Sequence, residues 1–511
     1  MNKIKKDFTN YIKKSKYSII IIILFIIFAY GQRIISSSYS IDVEHYIYDL
    51  SNSSANWEWM LALNRWGLVL LNKLLLFNSL PIFASNYLTI ITIILYSIAF
   101  NYLFYTKISD KYKDRFLKYQ FVFPIIFVTS PIFAEQYNFI HQSLSVAIGI
   151  LLIPISIILI EYTSNINNKY YKFFCYLIAI LLAVLSFGIY QSIILLYITA
   201  VASNYLLTVI DKRDNEWATL IKYILCFFAE IIVYEIFSKI FSTSNSYLNF
   251  AWKSNGLLTC IQTIIICVKS VLKCETIFYN FGYLLSLIVY IIYMVKAIKN
   301  KKFKLGAVLA IVAIICAPFY IMIITGTDQL KRTQFNYSYV IGFSLLLGII
   351  YLNKNKYFNY ILIFLTLILA YRQSFVTSNL FYTSDTIYKS DYNIANDIVS
   401  SIQAQDWYNP QKKYELIFLG RYKNENLNKY QEGEIIGYSY FDFDYKNVWG
   451  VAERGNIFLN NLGYKFKIPS AEDFKMAKEY VKTNKTQTWP SKKSITLVDN
   501  NKIIIRLSKE M

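Results

Sequence analysis

The chain has 511 residues, of which 56% are hydrophobic and only 16% charged, and its mean hydropathy is +0.37. Repeated apolar runs long enough to cross a hydrocarbon layer of roughly 30 Å exclude a soluble globular protein and indicate a polytopic α-helical membrane protein. The formal net charge of +20 resides mostly in short loops, so it marks orientation and gives no support to a nucleic-acid partner.

In chain order, Lys3, Lys5, Lys6, Lys13, Lys14 and Lys16 precede an apolar run from Tyr17 to Tyr30. The following GQRIISSS is a poor cleavage site, so this segment reads as an uncleaved first span with a cytoplasmic N-terminus. About eleven spans are predicted, near 17–32, 82–106, 119–134, 139–160, 172–188, 190–210, 219–241, 277–296, 304–325, 336–352 and 357–376. Loops on the N-terminal side carry more than twice as many Lys and Arg as the opposite loops, which assigns that side to the cytoplasm. An odd number of spans then places the C-terminal part outside the cytoplasmic (inner) membrane. The Ile, Lys, Asn and Tyr bias suggests a low-GC bacterium. Two polar-studded apolar segments, roughly 57–78 and 255–274, are expected to lie in the outer interface, where Trp and Lys reach headgroups.

The expected division is a transmembrane domain over residues 1–379 and an extracytoplasmic α/β domain over 380–511. Six cysteines suggest no disulfide framework, because Cys175, Cys226 and Cys316 fall inside apolar runs and the tail has none. Cys260, Cys267 and Cys274 recur every seven residues, as small packed residues on one helix face would.

Nearly all the unusual polar chemistry gathers on the outer side. The first outer loop, 33–67, holds Asp42, Glu44, His45, Asp49, Glu58 and Arg65 beside Trp57, Trp59 and Trp66. Further along come Glu135, Gln136 and Tyr137, then His141 and Gln142, then Tyr190 and Gln191, and finally Lys331 and Arg332 in GTDQLKRTQ. Ionisable groups near lipid cost several kcal/mol unless paired or wet, so these residues should line one outward-facing cavity. Carboxylates facing cations at a membrane surface suit a reaction in which a carboxylate takes a proton from an acceptor hydroxyl while a cation holds a phosphate leaving group. Spacing does not decide between Asp42 and Glu44 as the base, and either also reads as a solvated loop charge. Arg332 is the first choice for the phosphate, with Lys331 and Arg65 in reserve, since Arg offers a planar fork. Trp66, Glu135, His141, Gln142, Tyr190 and Gln191 are candidate sugar or acceptor contacts; His141 and the Tyr190–Gln191 pair also read as interhelical hydrogen-bonding groups, and the Trp cluster as an interfacial anchor.

In the tail, Ile394, Ile398, Val399 and Ile402 fall on one face of a helix over 391–405, and YELIFLG supplies a buried strand. Ser470 and Asp473 form a capping-box-like start. SITLVDNNKIIIRLS reads as a hairpin turning at Asn500–Asn501, and YSYFDFDYKNVWG as a strand pair. Asn52 and Asn484 begin short glycosylation-type triplets of the kind expected by chance.

Taken together, IDVEHY followed by NRWG, SFGIYQS, LKRTQ, SDYNIANDIVSSI, YELIFLG and the ending WPSKKSITLVDNNKIIIRLS resemble the GT-C superfamily of membrane glycosyltransferases. Within it the chain is similar to the phage-type O-antigen glucosyltransferase family, which depends on polyprenyl-phosphate sugars. The resemblance covers most of the chain. It implies inverting transfer of a hexose, glucose by preference, from a polyprenyl-phosphate donor to a surface polysaccharide or teichoic-acid-like acceptor. It also implies a partner flippase and a donor synthase. No cofactor is assigned, and a divalent cation is left open. Such families often show adjacent acidic residues, whereas Val43 separates Asp42 from Glu44 here, so the base stays open between them. The competing classes are a lipid-linked oligosaccharide flippase or transporter and a polysaccharide polymerase. A transporter would be expected to show paired repeats and broken helices with charges at midplane, and the soluble tail disfavours both.

Overall fold

The computed structural model describes residues 2–49, 53–75, 81–211, 216–242, 251–275, 281–300, 304–352, 356–423 and 431–510. Asn52, the start of the span expected at 277–296 and the loop cations Lys212, Arg213, Lys301, Lys302 and Lys354 lie outside the described residues. The chain is mostly helical and divides into two compact units. The first comprises Met1–Ile35, Trp57–Tyr137 and Gln142–Ser378; the second comprises Ser36–Asn56, Asn138–His141 and Asn379–Met511.

Among the described residues, eight helices are long and apolar enough to cross a membrane, beginning with Lys6–Ile35 and ending with Tyr357–Gln403. This is a multi-pass membrane protein. Three segments expected as spans are not among these eight. The segment 119–134 is divided between the short helices Val122–Val128 and Pro131–Tyr137, because Pro131 has no N–H to continue the ladder and disfavours helical backbone at Ser130. The segment 336–352 forms a 16-residue helix, Asn336–Tyr351. The segment 219–241 lies in a 26-residue helix, Glu216–Phe241, which also carries Lys222, Glu230, Glu235 and Lys239.

Within the first unit, close helix packing relies on small residues and interhelical hydrogen bonds, as expected where lipid supplies no hydrophobic drive between helices. Ser186 donates to the Gly149 carbonyl at 2.7 Å. Trp66 opens the helix Trp66–Leu74, and its indole lies so close to Gly188 that a Cβ there would fall 2.5 Å from the ring. Of the segments expected at the interface, 57–78 becomes the helices Ser53–Ala62 and Trp66–Leu74, and 255–274 becomes Leu257–Leu272, with Cys274 beyond its end.

In the second unit, strands β1 (Glu415–Leu419), β2 (Ile495–Val498) and β3 (Lys502–Arg506) form a sheet in the order β1-β3-β2, with β1 parallel and β2 antiparallel to β3. Ile417, Leu419 and Ile504 bury one face against Phe474, Ala477 and Val481 of the helix Ala471–Asn484. The expected capping box is present, with Ser470 accepting from the Asp473 amide. Ile394, Ile398, Val399 and Ile402 are buried, but the helix that carries them is the end of a 48-residue helix, Lys356–Gln403. The expected hairpin is present, and its loop is one residue longer than the Asn500–Asn501 turn: it spans 499–501, with Asp499 and Asn500 at positive φ of 51° and 59°. YSYFDFDYKNVWG is not a strand pair. It forms turns leading into a short segment, Val448–Ala452, that is kinked at Gly450, whose backbone is not helical. Gly450 packs so tightly that a Cβ would fall 1.9 Å from the Asp444 carbonyl oxygen, an approach that a regular ladder does not make.

Candidate active site

The loop after the first long helix supplies the carboxylates. Asp42 stands before the one-and-a-half-turn helix Val43–Tyr48 in left-handed backbone, φ 75°, and its side chain makes no cap. Instead it accepts from Arg454 Nη2 at 2.7 Å, while Glu44 Oε1 accepts from Arg454 Nη1. Arg454 lies in the first turn of the helix Glu453–Asn461, and its guanidinium sits 5.2 Å from the centre of the Phe443 ring. Further bonds tie the loop within the same unit: Asn461 donates to the Glu44 carbonyl at 2.9 Å, and the Tyr440 hydroxyl to the Tyr39 carbonyl at 2.8 Å. One guanidinium therefore bridges two carboxylates that the sequence left unresolved.

These carboxylates differ in access. The Asp42 side chain is 43% exposed and that of Glu44 is 0% exposed. Glu44 Oε2 has no hydrogen-bond partner among the described residues. Burial pushes the Glu44 carboxyl up to about 7, opposed by Arg454 and aided by Asp42. Burial and the Arg454 charge hold His45 down at about 4, so its imidazole is neutral at pH 7. Its nitrogens lie 3.8 Å from Glu44 and 3.9 Å from Glu453, beyond hydrogen-bond reach.

A carboxyl that binds its proton more tightly when folded contributes stability that is fully present below its ordinary 4.5 and is lost as pH rises through about 7. Glu44→Gln should remove that slope. Thermal melts of both proteins from pH 4.5 to 8 measure it, and parallel curves would show that Glu44 does not titrate there.

A separate cluster lies in the first unit, around an open cavity of about 740 Å³ whose lining includes Arg65, Tyr190, Gln191, Glu235, Lys239 and Arg332. Arg65 Nη1 donates to Gln142 at 2.9 Å, and its guanidinium stacks 4.8 Å from the centre of the Tyr190 ring. Gln191 donates to the Leu63 carbonyl at 3.2 Å. Asn64 takes a positive φ of 59° and donates to the Tyr234 hydroxyl at 3.1 Å, which shapes the wall beside Arg65. Ile194, Leu195, Ile321 and Ile324 add apolar wall, so the cavity suits a molecule with a charged head and a hydrocarbon tail.

His141 belongs to the second unit, its ring stacked on Tyr46 with centroids 5.0 Å apart. Trp66 is buried, stacked on Phe237 and donating to Ser238 at 3.3 Å, and is not among the residues lining the cavity. Glu135 is fully buried in the helix Pro131–Tyr137. Lys331 pairs with Asp328 at 3.2 Å, and it does not line the cavity either. Sequence reasoning missed Arg454, Lys239 and Tyr234. The one local sign of Arg454 is its position, since a cation in a helix's first turn opposes the helix dipole and needs an anionic partner. Among the described residues, no group of three or more His, Cys, Asp and Glu is arranged to hold a metal ion.

The family model described as Glucosyl transferase GtrII matches residues 31–349. No curated protein and no solved structure matches the chain.

Proposed function

The chain belongs to the glucosyl transferase GtrII family, and from that premise we propose that it moves glucose from a polyprenyl-phosphate donor to a glycan at the outer face of the cytoplasmic membrane. It is a glycosyltransferase in a multi-pass membrane protein; the donor, acceptor and side are the proposal. The observation that carries the reading is the pair Asp42 and Glu44 held on Arg454, in the first loop after the first long helix.

Of the two carboxylates, Asp42 is the base. Geometry precedes basicity, and only Asp42 is open to an acceptor hydroxyl. Its carboxylate takes the hydroxyl proton as the acceptor oxygen bonds to the sugar's anomeric carbon. The bond from that carbon to the phosphate oxygen breaks on the opposite face, which inverts the centre and releases polyprenyl phosphate with a second negative charge. Glu44 and Arg454 act as positioning residues, since their pairing fixes where Asp42 points. No step is routed through a metal ion.

Taken by itself, the cavity of the first unit suits the phosphate of a lipid-linked donor. A leaving group that gains charge is stabilised more in the transition state than in the ground state by a fixed cation. Arg332 and Arg65 line that cavity together with apolar wall, which suits a lipid-linked phosphate. Arg332→Ala should lose most turnover while losing less donor affinity, and Arg332→Lys should retain part, keeping the charge without the fork. Wild-type rates and binding in Arg332→Ala would move the phosphate to Arg65.

The function itself is tested by supplying purified protein with labelled glucosyl polyprenyl phosphate and a surface glycan. Label should appear in the glycan. Movement of intact donor across vesicles without transfer would instead support the flippase reading.

A further inference from the structure

An open cavity of about 670 Å³ in the C-terminal part of the second unit is lined by Lys482, Lys485, Arg506 and Lys509 among uncharged polar residues. No carboxylate lies within ion-pair distance of these four among the described residues. Some cations of the same unit are paired, among them Lys502 with Asp473, Arg421 with Glu510, and Arg454 with Asp42, so what sets these four apart is their gathering around one concavity. Arg506 is held in place, Nη1 donating to the Thr486 carbonyl at 2.6 Å and Nε to the Ser508 carbonyl at 3.2 Å. That leaves Nη2 for a ligand. Four like charges around one concavity repel one another, and an anion in the cavity would reverse the sign of that interaction.

We propose that this cavity docks a phosphate-bearing glycan. Several separated cations match charges repeated along a polymer better than one compact anion, and Arg506 offers the geometry suited to a phosphate oxygen. Gln487, Thr488 and Ser491 line the same cavity and can exchange hydrogen bonds with sugar hydroxyls. Among the described residues Val481 is the only aliphatic side chain in the lining and no aromatic ring lines it, so the wall offers little to the acyl chains of a lipid or to the stacking of a nucleic-acid base. The site deepens the proposed function and rests on it in one respect: if the chain glucosylates a surface glycan, the acceptor class it retains is anionic.

Binding can be read without any donor, on full-length protein in phosphatidylcholine nanodiscs. The probes are phosphomannan oligosaccharides and the same mannan stripped of phosphate. Wild type should bind the phosphorylated form at least tenfold more tightly, and added salt should weaken that binding. The double variant Lys482→Glu, Lys485→Glu should lose that preference, and Lys485→Gln, a milder change at an exposed position, should lose part of it. Equal binding of both mannans, or undiminished binding by the variants, would overturn the site. Displacement of phosphomannan by phosphatidylglycerol placed in the disc would also overturn it, by making a lipid the occupant. Sugar transfer without phosphomannan binding refutes this site, whereas binding without any transfer refutes the glucosyl-transfer reading and leaves the site standing.

Discussion

Asp42→Asn is expected to lower the turnover of glucosyl transfer by about 10²-fold or more, the usual contribution of a positioned general base. The substitution is well suited to the question. Asn tolerates the left-handed backbone at φ 75° about as well as Asp does, so the loop should keep its shape. The Asn side-chain oxygen can still accept from Arg454, and Glu44 still holds the other guanidinium nitrogen. What disappears is a site for the acceptor proton. Initial rates with labelled donor, set beside a donor titration, separate the chemical step from binding. A wild-type rate in Asp42→Asn, together with a large loss in Glu44→Gln, would transfer the role of base to Glu44.

Arg454→Ala should cost both stability and activity. Removing one partner of a buried ion pair leaves the other charge uncompensated, at about 3 kcal/mol or more. Here the orphan is Glu44, whose side chain has no exposed surface, and Asp42 loses the contact that orients it. The cost should depend on pH. Burial already raises the Glu44 carboxyl to about 7, so at pH 5 it is protonated and the lost guanidinium matters less, while at pH 8 a bare carboxylate must be buried or the loop must open. Thermal melts at the two pH values read the difference. Adding Glu44→Gln to Arg454→Ala should recover part of the stability at pH 8, since the amide needs no counter-charge. The double variant should remain poorly active, because Asp42 still lacks its anchor. An Arg454→Ala protein as stable as wild type at pH 8 would mean that the bridge holds nothing together.

The sequence by itself determined what depends on local composition and short spacing. Apolar length announced a multi-pass membrane protein, and the acidic residues of IDVEHY marked the first loop as chemically unusual. Ser470 and Asp473 announced a helix start because a capping box closes within one turn. The short buried run of YELIFLG and the Ile-rich end became adjacent parallel strands. Where local signals compete, composition alone misleads. Apolar content across 119–134 hid the break that Pro131 imposes, and aromatic content in YSYFDFDYKNVWG suggested strands where Asp444, at positive φ, and the tightly packed Gly450 favour turns. Tertiary structure alone decided which cation the carboxylates meet. Arg454 stands 412 residues from Asp42, in a segment with no motif of its own, and only folding brings its fork onto both side chains. It also decided their difference in exposure: a two-residue spacing fixes neither direction in a loop, whereas the left-handed turn at Asp42 and the buried helix start at Glu44 leave one carboxylate open and bury the other.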